Sequence, residues 1–230
     1  MIILGMNRKE IQKQVSEDFI LLNRYIDSQR SRLGYWSDKA ANGESKSFEW
    51  KSPNGNTWTA LLIREKNEVE MIFFTSVESD SGRFILKPQL THDGYVLVTF
   101  IPHFFRRYRE RMKLSRKLTT MQVVKRFMKR NRTAHMSVMD NRNIELTFSE
   151  GIGLGYWIGL RHRIVNTFIT YDMAYGDQVE RFEESEAKRR ERCERFGRYD
   201  DEVRSELCAF GLSDEEIFDK LKDKKEQDGD

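Results

Sequence analysis

The stretch that decides the fold spans residues 101–112 and reads IPHFFRRYRERM. Pro102 suits the first turn of a helix, where its missing N–H would have no partner in any case. The apolar side chains that follow recur at helical spacing and form one stripe, made of Phe104, Phe105, Tyr108 and Met112. The other positions are nearly all charged, so the pattern predicts a helix that buries an aromatic side and presents a basic side.

The sequence after this helix predicts a second helix of the same kind. Thr119 followed three residues later by Gln122 is a capping-box pattern, which starts helices. Apolar residues then repeat at helical spacing at Val123, Val124, Phe127 and Met128. The opposite side is basic again, so we expect two basic amphipathic helices that pack on a common core.

Strands are predicted on both sides of the two helices. Short β-rich runs separated by turn residues are typical of antiparallel meanders and hairpins. Before the helices these runs are residues 48–51, 58–64, 69–77, 83–87 and 95–101. After the helices they are residues 134–139, 144–148, 155–160 and 164–171. The glycines at 151, 153, 155 and 159 fall among the later runs, and we interpret them as turn and bulge glycines and not as a nucleotide-binding loop.

The order of these elements predicts the fold class. Apolar residues at helical spacing between residues 7 and 32 predict an N-terminal helix. From about residue 176 onward, acidic and basic residues alternate without β-rich runs, which predicts a charged helical extension with a frayed end. The sequence thus predicts an α+β domain over residues 1–175, with two basic helices packed on an antiparallel sheet, followed by the extension at residues 176–230.

Charge is distributed unevenly along the chain of 230 residues. Residues 101–132 contain 12 Lys and Arg and one Glu, whereas residues 176–230 contain 12 Lys and Arg and 19 Asp and Glu. The net charge of +3 therefore hides one strongly basic stretch, whose like charges repel unless an anion or an acidic partner lies nearby. Two partners fit: a nucleic-acid backbone, or an acidic protein segment such as the chain's own extension.

Composition argues against several other classes of protein. Cys193 and Cys208 lack the spacing of a zinc site, so we predict neither a disulfide framework nor a metal, and no cofactor is indicated. No run approaches the roughly 18 apolar residues of a membrane span, and residues 1–6 are too short for the core of a signal peptide. We expect a cytoplasmic protein that does not interact with membranes, and the sequence indicates no oligomeric state.

Residue types that can act on a phosphodiester lie together on the first basic helix. Spacing of i, i+4, i+7 and i+8 places His103, Arg107, Glu110 and Arg111 on one side of it. A histidine can transfer a proton near neutral pH, and arginine forks can hold a phosphate and stabilise the charge that develops on it. Glu110 would orient the histidine or an arginine, or act as a base toward a ribose 2′-hydroxyl. The alternative is that His103 only caps the helix and Glu110 only neutralises arginines.

Further basic residues are candidates for nucleic-acid binding around this group. On and beside the two helices they are Arg106, Arg109, Lys113, Lys125, Arg126, Lys129 and Arg130. At the turn before the last strand they are Arg161, His162 and Arg163. Their positive charges would contact phosphate groups, which RNA and DNA share.

The order of these motifs resembles the barnase, EndoU, colicin and RelE-like ribonuclease superfamily, and most of all its toxin-like and phage-associated members. The similarity covers about residues 95–173. It consists of a strand, the pattern His-x-x-x-Arg-x-x-x-Arg at the start of a helix, a second helix after a Thr-rich turn, and strands that end in the sequence TFIT at residues 167–170. Phe104 in place of a small residue, the long link at residues 113–118 and the first hundred residues depart from the family pattern.

This resemblance implies a metal-independent endoribonuclease or a toxin-like RNA-binding protein. It places His103, Arg107 and Arg111 in the active site on the first helix. It implies that Thr167 or Thr170, on the last strand, faces the scissile phosphate. On this reading RNA is a better substrate than DNA.

Three functions remain open at this point. The first is the metal-independent ribonuclease, for which His103→Ala should abolish RNA cleavage. The second is a non-catalytic nucleic-acid-binding module, which should show steep salt dependence without turnover. The third is a protein–protein adaptor whose acidic extension masks the basic helices, in which case removal of residues 176–230 should raise the affinity for nucleic acid.

Overall fold

The structure, a computed structural model, describes most of residues 1–174. The exceptions are residues 4, 30–33, 35, 37, 38, 66, 67, 92, 93, 133, 139–142, 159 and 160. The predicted helical extension at residues 176–230, with both cysteines, lies outside the described residues.

The described residues form helices and strands close to those predicted. The helices are α1 (Arg8–Ser28), α2 (Pro102–Arg111) and α3 (Thr120–Arg130). The strands before α2 are β1 (Ser45–Lys51), β2 (Thr57–Glu65), β3 (Glu68–Ser79), β4 (Gly82–Thr91) and β5 (Gly94–Phe100). The strands after α3 are β6 (His135–Val138), β7 (Asn143–Phe148), β8 (Gly151–Trp157) and β9 (His162–Ile169), and a short 3₁₀ helix follows at Tyr171–Met173.

The nine described strands form one mixed sheet in the order β1-β2-β3-β4-β5-β9-β8-β7-β6. The α+β prediction is confirmed, but the prediction of an antiparallel sheet is wrong at the centre, where β5 and β9 are parallel. Parallel neighbours need a long crossover connection. Here that connection contains α2, α3 and β6 to β8, so β9 returns to the middle of the sheet in the same direction as β5.

Helices cover both faces of this sheet. α2 and α3 pack on one face through the predicted aromatic stripe, and Phe104, Phe127 and Phe168 meet there with nearly perpendicular rings, a favourable aromatic geometry. α1 packs on the other face, where Leu22 is buried with Trp58 and other apolar residues of β1–β5. Adjacent residues of a strand point to opposite faces, which allows one strand to serve both cores.

The starts of the helices confirm the predicted local signals. Pro102 is the first residue of α2, and Thr119 and Gln122 form the reciprocal capping box of α3. α1 begins with a second capping box between Asn7 and Glu10 and ends at Ser28, short of the predicted residue 32. These short-range hydrogen bonds satisfy backbone groups that a helix end would otherwise leave unpaired.

A buried carboxylate joins α1 to the hairpin of β1 and β2. Asp18 is fully buried and accepts hydrogen bonds from Asn54 Nδ2 at 2.9 Å, Asn56 Nδ2 at 2.6 Å and Trp58 Nε1 at 2.8 Å. A buried charge is tolerated when donors surround it in this way. The network therefore fixes the position of α1 on the sheet.

Of the four glycines interpreted as turn and bulge glycines, those at residues 151, 153 and 155 lie within strand β8, and Gly159 lies outside the described residues. The pairing of β8 with β9 shifts register between Leu154 and Gly155. A Cβ atom on Gly155 would lie 2.0 Å from the carbonyl oxygen of Ile164, so the two backbones approach too closely for any side chain.

Candidate nucleic-acid interface

The rotation of α2 is set by its aromatic side chains. Ile101 N donates to Val165 O at 3.2 Å, which joins the start of the helix to β9. Phe104, Phe105 and Tyr108 are buried against the sheet. Helical geometry then directs His103, Arg106 and Glu110 away from the sheet. Arg107 and Arg111 lie on one flank of that exposed side, and Arg109 lies on the other.

His103 lies between two guanidinium groups. Arg106 Nη2 is 2.8 Å from its Nδ1, and Arg107 Nε donates to its Nε2 at 3.2 Å. Neutral imidazole has a single acceptor nitrogen, so the two arginines compete for it. Burial of the ring, and then the charges of Arg106 and Arg107, lower the pKa of His103 below its ordinary value. The surroundings of the ring therefore favour its neutral form over the imidazolium.

Glu110 contacts an arginine of the same helix. Arg107 Nη1 donates to Glu110 Oε2 at 3.0 Å, and both side chains are about half exposed. Of the roles considered for Glu110, the contact corresponds to that of orienting an arginine. The ring of His103 faces the arginines, and the N-cap of α2 is Ile101, so the alternative in which His103 caps the helix is wrong.

Arg111 extends this group by one turn of the helix. Its Nη1 is buried and has no hydrogen-bond partner among the described residues. Burial, and then the charge of Arg107, lower the pKa of Arg111. A buried N–H without an acceptor is uncommon in folded proteins, so this guanidinium has a donor to spare.

Thr167 in β9 and Thr170 just after it do not join this group. Phe168 packs beneath α2, and successive residues of a strand point to opposite faces, so Thr167 points away from the helix. Thr170 lies beyond the end of β9, where its carbonyl accepts from Met173 N at 3.0 Å. No contact among the described residues connects either threonine to His103, and the expectation that Thr167 faces a phosphate bound on α2 is wrong.

Three of the four basic residues of α3 contact other parts of the protein. Arg126 Nη1 is 3.3 Å from the carboxylate of Glu150 and also donates to the hydroxyl of Tyr108. That hydroxyl donates in turn to Glu150 Oε2 at 2.5 Å, and burial followed by this hydrogen bond raises the pKa of Tyr108. Arg130 approaches the same carboxylate at 3.9 Å, and Lys125 Nζ donates to Ser47 Oγ at 3.0 Å. These cations therefore stabilise the fold.

The other predicted nucleic-acid contacts divide between surface and interior. Arg161 and Lys113 are exposed, and Lys129 is half-buried on α3. His162 is only 5% exposed and lies 2.8 Å from Thr99 Oγ1, because β9 begins at His162 and pairs with β5 there. The expectation that it extends a cationic surface is wrong. Arg163 stacks on Trp157 at 4.6 Å, and burial lowers its pKa to about 10.

A pocket of about 240 Å³ opens beside α2, on the flank of Arg109. Its polar walls come from α2, from the first turn of α3 and from the turn between β3 and β4. The polar side chains that line it are Ser81, Arg83, Arg106, Arg109 and Thr120. Ser81, Arg83 and Thr120 were not predicted as site residues, because no local sequence pattern indicates that the turn between β3 and β4 lies against a helix twenty residues later.

Comparison with known proteins does not identify a relative of this chain. Searches against protein-family models, curated proteins and solved structures found no match. Among the described residues, no helix is long and apolar enough to cross a membrane, and no three His, Cys, Asp or Glu side chains are grouped so that they could hold a metal ion.

Proposed function

We propose that this protein binds RNA through the exposed side of α2, whose arginines contact the phosphate backbone. One observation supports the proposal most directly: Arg106 and Arg107 lie against the two ring nitrogens of His103, only one of which can accept a hydrogen bond in the neutral ring. Positive groups held this close repel one another, and a phosphate that bridged them would give each guanidinium its own acceptor. Arg111, one helical turn beyond Arg107, adds a third positive charge to the same side of α2.

A comparison of the two basic helices favours α2 over α3 as the binding surface. Arg126 and Arg130 share the carboxylate of Glu150, and Arg132 contacts Glu65 at 2.8 Å and Glu70 at 2.9 Å. α2 carries four arginines and one glutamate. The net charge of α2 is thus +3, and among the described residues no acidic side chain from another element contacts His103 or Arg107 in the way that Glu150 contacts α3, so phosphates would be attracted to α2.

The histidine at the centre of this surface favours RNA over DNA. A neutral imidazole can accept the proton of a ribose 2′-hydroxyl, a group that DNA lacks. The resemblance to the ribonuclease superfamily depends on the same His103 and Arg107, and it points to the same class of ligand.

Salt-dependent binding tests this proposal. The affinity for a labelled single-stranded RNA, and for DNA of the same sequence, should be measured by fluorescence anisotropy at several salt concentrations. Each phosphate contact with a single strand contributes about 0.7 to the slope of log K against log salt, so Arg106→Gln combined with Arg107→Gln should reduce that slope by about 1.4. Lys9→Gln combined with Lys13→Gln, which removes two exposed charges from α1, is the matched control. Equal effects of the two double variants, or tighter binding of the DNA, would contradict the proposal.

The lowered pKa of His103 supports a second candidate function, cleavage of the bound RNA. His103 would accept the proton of the 2′-hydroxyl, and the 2′-oxygen would attack the adjacent phosphorus. The bond from phosphorus to the 5′-oxygen of the next nucleotide breaks, and that oxygen takes a proton from the imidazolium or from water. The products are a 2′,3′-cyclic phosphate and a free 5′-hydroxyl. Arg107 would stabilise the charge on the phosphate during the attack.

Analysis of the reaction products separates cleavage from binding alone. The wild-type protein should release strands that end in a 2′,3′-cyclic phosphate, and His103→Gln should lose this activity while it still binds the RNA. Thr167→Val changes a residue on the opposite face of the sheet, so it should cleave normally. Binding with no cyclic product from the wild-type protein would leave α2 as a binding surface and eliminate the ribonuclease.

A further inference from the structure

The pocket beside α2 has the composition of an anion site. Its polar side chains are three arginines and two hydroxyl residues, namely Arg83, Arg106, Arg109, Ser81 and Thr120. Among the described residues that line it, none is acidic. Three guanidinium groups around one recess repel one another, so a bound anion would stabilise this arrangement.

Neighbouring contacts hold the walls of the pocket in place. Phe105 and Val123 are buried and form an apolar base between α2 and α3. Gly82 lies against Pro102: a Cβ atom on Gly82, whose φ is +120°, would be 3.1 Å from Pro102 Cβ. Only glycine allows this approach without strain. The close contact brings the turn between β3 and β4, and Arg83 with it, to the start of α2.

Each arginine of the pocket is oriented by one contact that leaves other donors unused. Arg83 pairs with the exposed Glu78, Arg109 Nη2 donates to Leu118 O at 2.9 Å, and Arg106 Nη2 lies beside His103. A guanidinium has five N–H donors, so each of them can still bind a ligand oxygen. Such preorganised forks suit the oxygens of a phosphate.

The first turn of α3 adds a fourth positive contribution. Thr120 is the first residue of this helix and lines the pocket. The N-terminal end of a helix carries a partial positive charge and presents backbone N–H groups to anions. The capping box of Thr119 and Gln122 satisfies only part of these groups.

The size and charge of the pocket indicate the kind of phosphate. A volume of about 240 Å³ leaves room for a phosphate with part of a sugar. A phosphate monoester carries a charge of about −1.5 to −2 at neutral pH, more than the single charge of an internal phosphodiester. Three arginines around a recess therefore suit a terminal phosphate monoester better than an internal phosphodiester of the RNA backbone.

We infer that this pocket binds the terminal phosphate monoester of an RNA strand whose backbone lies along α2. The inference depends on the proposed RNA binding and extends it from any strand to strands with a phosphorylated end. Arg106 connects the two sites, because it lines the pocket and also contacts His103. The end of the strand would then be anchored next to the histidine.

End-group preference tests the inference. RNA oligonucleotides of one sequence, with a 5′-phosphate, a 3′-phosphate or hydroxyls at both ends, should be compared by fluorescence anisotropy. Binding of inorganic phosphate and of uridine 5′-monophosphate should be measured by calorimetry. We expect either the 5′-phosphate or the 3′-phosphate, but not both, to raise the affinity about tenfold over the oligonucleotide with hydroxyl ends, which corresponds to about 1.4 kcal/mol. Arg83→Gln should remove this preference, and Arg24→Gln, an exposed arginine of α1, should retain it.

The outcomes separate failure of the pocket from failure of RNA binding. Equal affinity for all three oligonucleotides would refute the assignment of the pocket to a terminal phosphate, while the proposed RNA binding on α2 would still stand. Binding of uridine 5′-monophosphate that Arg83→Gln abolishes, with no binding of RNA, would show a phosphate site in the pocket but overturn both its assignment to an RNA end and the proposed function. Inorganic phosphate that binds as tightly as the phosphorylated strand would overturn the assignment to a strand end. Glu78→Gln, which frees Arg83 from its partner, should increase the preference and gives a second test if Arg83→Gln does not fold.

Discussion

Arg107 donates from Nε to Nε2 of His103 across 3.2 Å, one helical turn away. In this arrangement the neutral ring carries its proton on Nδ1, next to Arg106. An arginine that donates to an imidazole stabilises the neutral ring, because protonation would remove the acceptor and add a like charge. The contact therefore favours the neutral ring over the imidazolium, and Nε2 becomes free to accept a proton only when Arg107 turns to another acceptor, such as a phosphate oxygen.

Removal of Arg107 should raise the pKa of His103. The desolvation of the ring and the nearby arginines hold this pKa below the ordinary histidine value of about 6.5. Arg107→Gln removes one of those charges, so an NMR titration of the ring should show a higher pKa than in the wild-type protein. Lys13→Gln, on α1, should leave the titration unchanged. An unaltered pKa in Arg107→Gln would contradict the contact.

The same shift sets the sign of the pH dependence of stability. The folded pKa lies below the unfolded one, so the unfolded chain binds more protons, and the contribution of His103 to stability falls as the pH drops below about 6.5. His103→Gln should lack this contribution to the pH dependence of the free energy of unfolding, so acid should destabilise it less than the wild type. Urea denaturation at several pH values measures the effect, and identical pH profiles for the two proteins would contradict it.

Glu150 should stabilise the fold and also limit binding. Its carboxylate contacts Tyr108, Arg126 and Asn131. Glu150→Ala leaves partly buried donors without their acceptor, so the free energy of unfolding should fall by about 1–3 kcal/mol. The affinity for RNA should rise, because Arg126 and Arg130 lose their counter-charge. Glu49→Ala, at an exposed position of β1, is the control. If Glu150→Ala bound RNA more weakly than the wild type, the expected rise in affinity would be contradicted.

Asp18 should be among the most sensitive positions of the N-terminal half. Asp18→Ala leaves the buried donors Trp58 Nε1 and Asn56 Nδ2 without their acceptor. We expect a loss of about 1–3 kcal/mol for each unsatisfied group, measured by urea denaturation. Asp172→Ala, which removes an exposed carboxylate, should change stability little. Equal losses in the two variants would show that the network around Asp18 does not fix α1.

In the adaptor hypothesis, the acidic residues beyond residue 175 mask the basic side chains of α2 and α3 and so weaken RNA binding. Exchange of Glu183, Glu184 and Glu186 for glutamine, in the full chain, removes three negative charges. The affinity for single-stranded RNA should then increase, and the increase should shrink at high salt because screening weakens the masking charges too. Unchanged affinity at low salt would exclude masking by these residues.

Local features of this protein could be predicted from its sequence because they depend on residues close together in the chain. The aromatic stripe at Phe104, Phe105 and Tyr108 is a helical period, and its burial follows from hydrophobicity. The capping box of Thr119 and Gln122 is a hydrogen-bond pattern that spans three residues. The sequence itself also shows the concentration of positive charge on residues 101–132.

Tertiary structure alone decided which distant residues meet. The parallel pairing of β5 with β9 buries His162, the rotation of β9 beneath α2 turns Thr167 to the opposite face, and Glu150 neutralises Arg126 from 24 positions away. Arg83 reaches α2 in the same way, through the close approach of Gly82 to Pro102. Periodicity predicts which side of an element is buried, but the neighbours of that element depend on the packing of the whole sheet, in which contacts far apart in the chain contribute jointly.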